Sequence, residues 1–484
     1  MTLSNEGEML SILRTLTFKK LTYGLVTLAS IYILGPSINH VLSTLFGSKR
    51  ITEDRSNKRL DKYTTGLTNR STECYINSSL QALSSLQNLS ISLNEYIDLT
   101  QSFNDDTDSI DTPRALLHES LSELLSDLQE LILYPRTLSN KPVVQTLERI
   151  FRGRLSRDQN DAHEFVQILL ERLYEEYKML SNSLKEHSSL TFPFKGEMSS
   201  HYFCMKCHKR SEIIKQDQLI WELNVPQKYN CTLNEMIEGS ESEIIEDYSC
   251  LYCQVSSLLV NEASDNFNNT EIEKENIQIL KSLLPTLKIN SDIPNKLVYF
   301  ISNYNKNRCV PSRIKTTIAK RTFFSSSPNS LVIHLSRSVY NGMVMTRNSC
   351  RVSFPENLEI NEQQIDENDS VQTRKVRYVL RSMVKHTGTH YQGHYQCYRH
   401  KPDLLVDPKT KETINKTFII KGRYICKNSK NEQKPLTESK KYKKVKSVKS
   451  FPFWHISDET VKEVKSSSLQ NENKHVYMLY YERL

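Results

Sequence analysis

Cysteine is scarce. Ten thiols in 484 residues are too few to staple so long a chain, which excludes a disulfide scaffold and points to a reducing compartment, where cysteines bind metal or do chemistry. A chain-wide excess of one charge is also missing. The formal net charge is +8, yet residues 401–450 alone carry 15 Lys/Arg against 5 Asp/Glu, so the remainder is close to neutral. That segment has few aromatics to stack on bases, and nucleic acid is not an expected partner. It reads as a solvated basic insertion or, more sharply, as a surface for acidic lipid or an acidic partner. The apolar fraction suffices for a sizeable core in one large or two to three ordinary domains, which excludes global disorder.

Long hydrophobic runs are scarce as well. Residues 21–38, LTYGLVTLASIYILGPSI, are uncharged, with Lys19 and Lys20 before them and Lys49 and Arg50 after. A run of about 18 residues just spans a bilayer, and no small-x-small cleavage site ends it. We expect an N-terminal segment at 1–20, a single transmembrane anchor at 21–38, a charged linker at 49–62, and a soluble domain from 66 to 484. A moderately apolar run with basic flanks suits the mitochondrial outer membrane, with the endoplasmic reticulum as the other candidate and the folded domain in the cytosol.

What is present centres on residues 66–86, GLTNRSTECYINSSLQALSSL. After Cys74, Ile76, Leu80, Leu83 and Leu86 recur every three or four positions, so Cys74 is predicted at the start of a core-facing helix. A thiol at a helix N-terminus ionises more easily, above all beside a histidine. Asn69, in the preceding turn, is placed to aim its amide at an oxyanion near that sulfur. Taken alone, the stretch reads more readily as an inert buried cysteine.

Downstream, an acidic loop at 104–111 precedes an amphipathic helix carrying Leu117, Leu121, Leu124 and Leu128. A second helix starts at Asp161, with Asp161 and Glu164 in its first turn, where carboxylates suit the helix dipole. From Phe192 short strand-like runs begin. Cys204-Met-Lys-Cys207 and Cys250-Leu-Tyr-Cys253 have the spacing of a tetrahedral zinc site, read as structural because four thiolates leave no open position. Cys231, between the knuckles, is a spare. These fingers span 192–256, a polar insertion with a weak helix near 277–287 spans 254–294, and the basic insertion spans 401–450. Strands are predicted at 331–335, 376–384 and 476–481. Gly388 and Gly393 frame a tight loop, with His394 on a strand at its edge; His386, His390 and His400 read as surface or satisfied core residues.

The order Gly-Leu-x-Asn-x4-Cys-Tyr-x-Asn-Ser-x-Leu-Gln-x-Leu, then Gln-x-Asp-Ala-x-Glu-Phe, two CxxC knuckles and Gly-His-Tyr resembles the ubiquitin-specific proteases. The resemblance implies an α+β, papain-like cysteine protease with palm, thumb and zinc-ribbon fingers. It implies Cys74 as nucleophile, His394 as base, Asn69 at the oxyanion position, and Asp161 and Glu164 against the basic tail of ubiquitin. In that family Asn or Asp orients the histidine; here Trp-x-Ile-Ser-Asp-x-x-Val leaves Ser457 or Asp458 for that place, and counting back from Val461 favours Ser457. Ser71-Thr72-Glu73 replaces the usual Gly-Asn-Thr, and a carboxylate at Glu73 is expected to raise the thiol pKa. Membrane-tethered members, including those of the mitochondrial outer membrane, share the anchor and the Lys-rich stretch. The competing expectation is a catalytically weak or dead, membrane-tethered ubiquitin-binding protein.

Overall fold

The computed structural model describes residues 59–70, 72–106, 115–152, 161–183, 191–264, 267–365, 371–389, 392–406, 413–415 and 443–484. The anchor expected at 21–38 and His390 lie outside them. Among the described residues no helix is long and apolar enough to cross a membrane.

Helices occupy the first half of the folded unit and strands most of the second. Helix α1 (Cys74–Leu83) is buried along all ten of its residues. It is surrounded by α2 (Gln87–Asp106), α3 (Leu116–Gln129), α4 (Lys141–Phe151) and α5 (Ala162–Ser183). Leu80 and Leu83 of α1, the Leu117/Leu121/Leu128 stripe of α3 and the Val166/Leu169/Leu173 stripe of α5 meet in one core with Val384, Cys397 and Met478 of the sheet. Each helix closes only its own apolar stripe, so α1 is held by contacts on every side rather than by its own propensity.

Among the described residues a twelve-stranded sheet follows. Its labelled strands are β1 (Gly196–Cys204), β2 (Trp221–Asn224), β3 (Thr316–Ser326), β4 (Ser330–Ser336), β5 (Asn357–Ile365), β6 (Val371–Gly388), β7 (Gly393–His400), β8 (Phe453–Ser457), β9 (Thr460–Val464) and β10 (Val476–Arg483). One run reads β9-β8-β7-β6-β5-β3-β1, while β10 pairs with both β6 and β4, and β4 in turn with β2. The C-terminal strand β10 is therefore an interior strand, as its aromatic-apolar sequence predicts. The predicted strands at 331–335, 376–384 and 476–481 all fall within β4, β6 and β10.

Two segments differ from expectation. The stretch 254–294 is part of a small helical unit, α6 (Leu251–Ser264), α7 (Glu271–Leu283) and α8 (Asn295–Asn303). Val255, Leu258, Ile277, Leu280, Leu297 and Ile301 give it a core of its own. A capping box closes the start of α7, where Thr270 accepts from the Glu273 backbone N–H and Glu273 accepts from that of Thr270. Polar residues on the outer faces masked that core in the sequence. At the opening of the basic segment, Lys401 is buried rather than solvated, its Nζ 3.1 Å from Asp61 and 3.0 Å from Glu463. Burial of a lysine is tolerable only with such pairing. Residues 407–412 and 416–442 of that segment lie outside the described residues.

Candidate active site

The hairpin joining β8 to β9 folds onto the segment before α1. Asp458 at its turn has φ +48°, a left-handed conformation that Asp tolerates better than most side chains. A Cβ on Gly66 would lie 2.8 Å from the Cα and carbonyl oxygen of Glu459, so only glycine admits this approach. The Leu67 N–H then donates to the Asp458 carbonyl at 3.0 Å. The glycine that opens the cysteine box thus seats the turn that ends the chain's site.

Cys74 begins α1 and is 2 % exposed. The backbone N–H groups of Tyr395, Tyr75 and Cys74 itself lie near enough to its sulfur to favour the thiolate. The Tyr395 contact brings the thiol beside the residue next to His394, at the start of β7. Burial pushes the thiol pKa up, the Asp458 charge adds to that rise, and the three N–H groups oppose it. The carboxylate whose charge reaches the thiol is that of Asp458, while Glu73 Oε2 accepts from Asn140 Nδ2 at 3.3 Å.

His394 Nε2 is 2.8 Å from Ser457 Oγ and 3.9 Å from Asp458 Oδ2. Only the first is a hydrogen-bond distance. Gln396 Nε2 also donates to Ser457 Oγ at 3.2 Å, and its Oε1 lies 3.1 Å from His455 Nε2. Asp458 serves a different set: its Oδ2 accepts from Asn69 Nδ2 at 3.0 Å and its Oδ1 from Asn77 Nδ2 at 2.8 Å. Asn69 Oδ1 accepts from the Glu73 N–H at 3.2 Å, so that amide is held at both ends. Asn140, almost fully buried, donates to Asn77 Oδ1 at 2.9 Å. Neither Asn77 nor Asn140 was singled out in the sequence. The available signal was an asparagine within an otherwise core-facing helix, which must have a buried partner.

Asp161 precedes α5. Its Oδ1 accepts from the His163 N–H at 2.7 Å, and its Oδ2 accepts from the Tyr477 hydroxyl. Glu164 is exposed one turn along. His386 is stacked on Tyr395 with Nδ1 2.9 Å from Arg347 Nη1, and His400 Nδ1 is 2.5 Å from the Lys401 carbonyl oxygen. Both are satisfied interior residues, as expected. Gly393 leaves room for His386, whose Nε2 would be 2.2 Å from an added Cβ.

Away from this site, the sulfurs of Cys204, Cys207, Cys250 and Cys253 all lie within 4.8 Å of one another. Cys204 and Cys253 are 3.8 Å apart, and Cys207 and Cys250 3.7 Å. A tetrahedron of thiolates around zinc, with bonds of ~2.3 Å, has edges of about 3.8 Å, so the donors fit that ion. Cys231 stands apart from them, 3.6 Å from Cys350.

The raised thiol pKa carries a pH prediction. Cys74 stays largely protonated at neutral pH in the free protein, and its alkylation by iodoacetamide, followed by peptide mass spectrometry, is expected to keep accelerating past the ordinary thiol pKa of about 8.5. A rate already at plateau by pH 7 would contradict it.

The chain matches the family "Ubiquitin carboxyl-terminal hydrolase" over residues 65–481. It is 35% identical over 496 residues to ubiquitin carboxyl-terminal hydrolase 16 of Saccharomyces cerevisiae, covering 97% of both chains. A protein of the same name from Emericella nidulans is 27% identical, covering 78% of this chain and 66% of that one. Among solved structures, the SAGA Ubp8/Sgf11/Sus1/Sgf73 DUB module bound to ubiquitin aldehyde is similar at a TM-score of 0.49 and 16% identity, covering 92% of this chain and 75% of that one. On the family match and the near full-length relative, the chain belongs to the ubiquitin carboxyl-terminal hydrolases and is a cysteine protease of that family.

Proposed function

We propose that the chain hydrolyses isopeptide bonds at the C-terminal glycine of ubiquitin through a thioester formed on Cys74. The observation that carries this reading is the packing of the Cys74 helix on β7, where the Tyr395 N–H faces the sulfur and the adjacent His394 is held by Ser457. His394 takes the thiol proton as the sulfur adds to the glycine carbonyl, and Asn69, fixed by Glu73 and Asp458, donates to the oxyanion. The tetrahedral intermediate then collapses, His394 gives its proton to the departing lysine amine, and the thioester forms. Water, deprotonated by His394, adds to the thioester, and collapse releases ubiquitin's carboxylate and restores the thiol. Ser457 holds the imidazole's orientation but brings no charge to stabilise imidazolium, so modest turnover follows. Glu164, exposed on α5, and Asp161 beside it are proposed to meet the basic tail of ubiquitin.

Ubiquitin carrying an electrophilic C-terminus tests this reading. The chain is expected to form one covalent adduct, lost in Cys74→Ala; an adduct that survives that substitution would remove Cys74 as nucleophile.

Zinc is proposed at Cys204, Cys207, Cys250 and Cys253, joining the end of β1 to the start of α6, where it would brace the fingers and take no part in the reaction. Purified chain should contain one zinc at this site by elemental analysis, and Cys204→Ser should lose it together with solubility. Unchanged metal content would defeat the assignment.

The membrane tether at 21–38, with the mitochondrial outer membrane as its destination, is also proposed. Its support is the uncharged run between basic flanks. A fluorescent reporter fused to residues 1–60 should collect on mitochondria; a diffuse signal would sink the proposal.

A further inference from the structure

A second constellation of metal-binding donors lies on the sheet, apart from the four cysteines. His334 on β4 and Glu222 on β2 are register partners of parallel strands, so their side chains leave the same face of the sheet side by side. His163, at the second position of α5, lays its ring on that of His334 at 3.9 Å. One donor atom from each of these three side chains falls within a 4.8 Å group. His334 Nδ1 and Glu222 Oε1 are 3.7 Å apart, beyond a hydrogen bond but near the ~3.4 Å edge of a tetrahedron with metal–ligand bonds of about 2.1 Å.

An independent observation points to a ligand. His334 is 5 % exposed, and neither of its buried ring nitrogens has a hydrogen-bond partner among the described residues. Its other neighbour, Tyr477, meets it edge-on at 4.9 Å and directs its hydroxyl to Asp161. Buried polar groups are satisfied as a rule, and one that is not calls for a partner that the described residues do not supply. A cation can take a nitrogen lone pair here and the Glu222 carboxylate together.

We propose that His163, Glu222 and His334 form a binding site for a divalent transition metal ion of the zinc class. Two imidazoles and one carboxylate suit zinc or cobalt better than calcium or magnesium, which favour all-oxygen sets. Three protein ligands leave a fourth position for water, unlike the closed four-cysteine site. The His163 and His334 rings are nearly parallel, 10° between planes, so their in-plane lone pairs run alongside each other. Ligation therefore requires His163, half-buried at the first turn of α5, to tilt out of the stack, while His334 and Glu222 stay in register. The site depends on neither the four-cysteine zinc nor the proposed chemistry at Cys74.

Titration of the full chain with Co2+ tests it, read by visible d–d absorption and by the sulfur-to-metal charge-transfer band that only thiolates give. The expected result is one equivalent that produces d–d bands without charge transfer. His163→Ala and Glu222→Gln, both at side chains with solvent access, should each weaken that equivalent by more than the roughly tenfold that losing a supporting group costs. Thermal melts matching the parent chain in the absence of metal would show that the fold is kept. Absence of the thiolate-free equivalent, or its persistence at full affinity in both variants, would overturn the proposal.

Discussion

One carboxylate joins two parts of the chain almost four hundred residues apart. Asp458 stands at a turn near the C-terminus, yet its oxygens bind Asn69 and Asn77 on either side of Cys74. The turn can reach them only because Gly66 offers no Cβ and because Asp458 takes a left-handed conformation. Once seated, it sets Ser457 against His394 and leaves the Asn69 amide fixed at both ends. The same charge has a cost, since it adds to the burial that keeps the Cys74 thiol protonated. Under the roles proposed for Asn69 and Cys74, preorganisation of the oxyanion donor and easy ionisation of the nucleophile thus pull in opposite directions.

The burial of α1 makes that arrangement rigid. A helix with every residue buried must find partners for its polar side chains within the protein. Asn77 finds Asp458 and Asn140, Ser79 donates to the Tyr75 carbonyl, and Gln81 donates to the Thr65 carbonyl. Gln81 also accepts from Arg399, a buried guanidinium that reaches Ser84 and Leu128 as well. These bonds tie α1 to β7, the strand that carries His394, through side chains on both. Packing and polar satisfaction here specify one position for the helix, where apolar contact alone would tolerate sliding.

Much of this was legible from the sequence, though unevenly. The Cys74 and Gly-His-Tyr boxes, the strand that carries His394 and the two cysteine knuckles each have local spacing that encodes their geometry. Choosing between Ser457 and Asp458 could not follow from alternation alone, because alternation assumes an extended backbone and Asp458 leaves it. Ser457, the last residue of β8, meets the imidazole, and Asp458 turns to the asparagines. Asn140 was hidden because nothing local ties it to Asn77. The small helical unit was hidden for another reason: its apolar stripes are narrow and its outer faces rich in Asn, Glu and Ser, so hydropathy registers the surface more than the core. The His163, Glu222 and His334 cluster draws on one helix and two strands, an assembly that only the fold makes.

The central claim is that Asp458 acts through Asn69 while Ser457 orients His394, and a double-mutant cycle on cleavage of a ubiquitin conjugate tests it most directly. Asn69→Ala and Asp458→Ala are each expected to lower kcat by about 100-fold, the scale of one lost oxyanion donor. The double variant should be little worse than either alone, since both remove the same interaction. Ser457→Ala should cost about tenfold, the worth of one hydrogen bond, and multiply with both. If the Asn69 and Asp458 losses multiply instead, and Ser457→Ala leaves the rate unchanged, Asp458 is the group that orients His394 and the account is wrong.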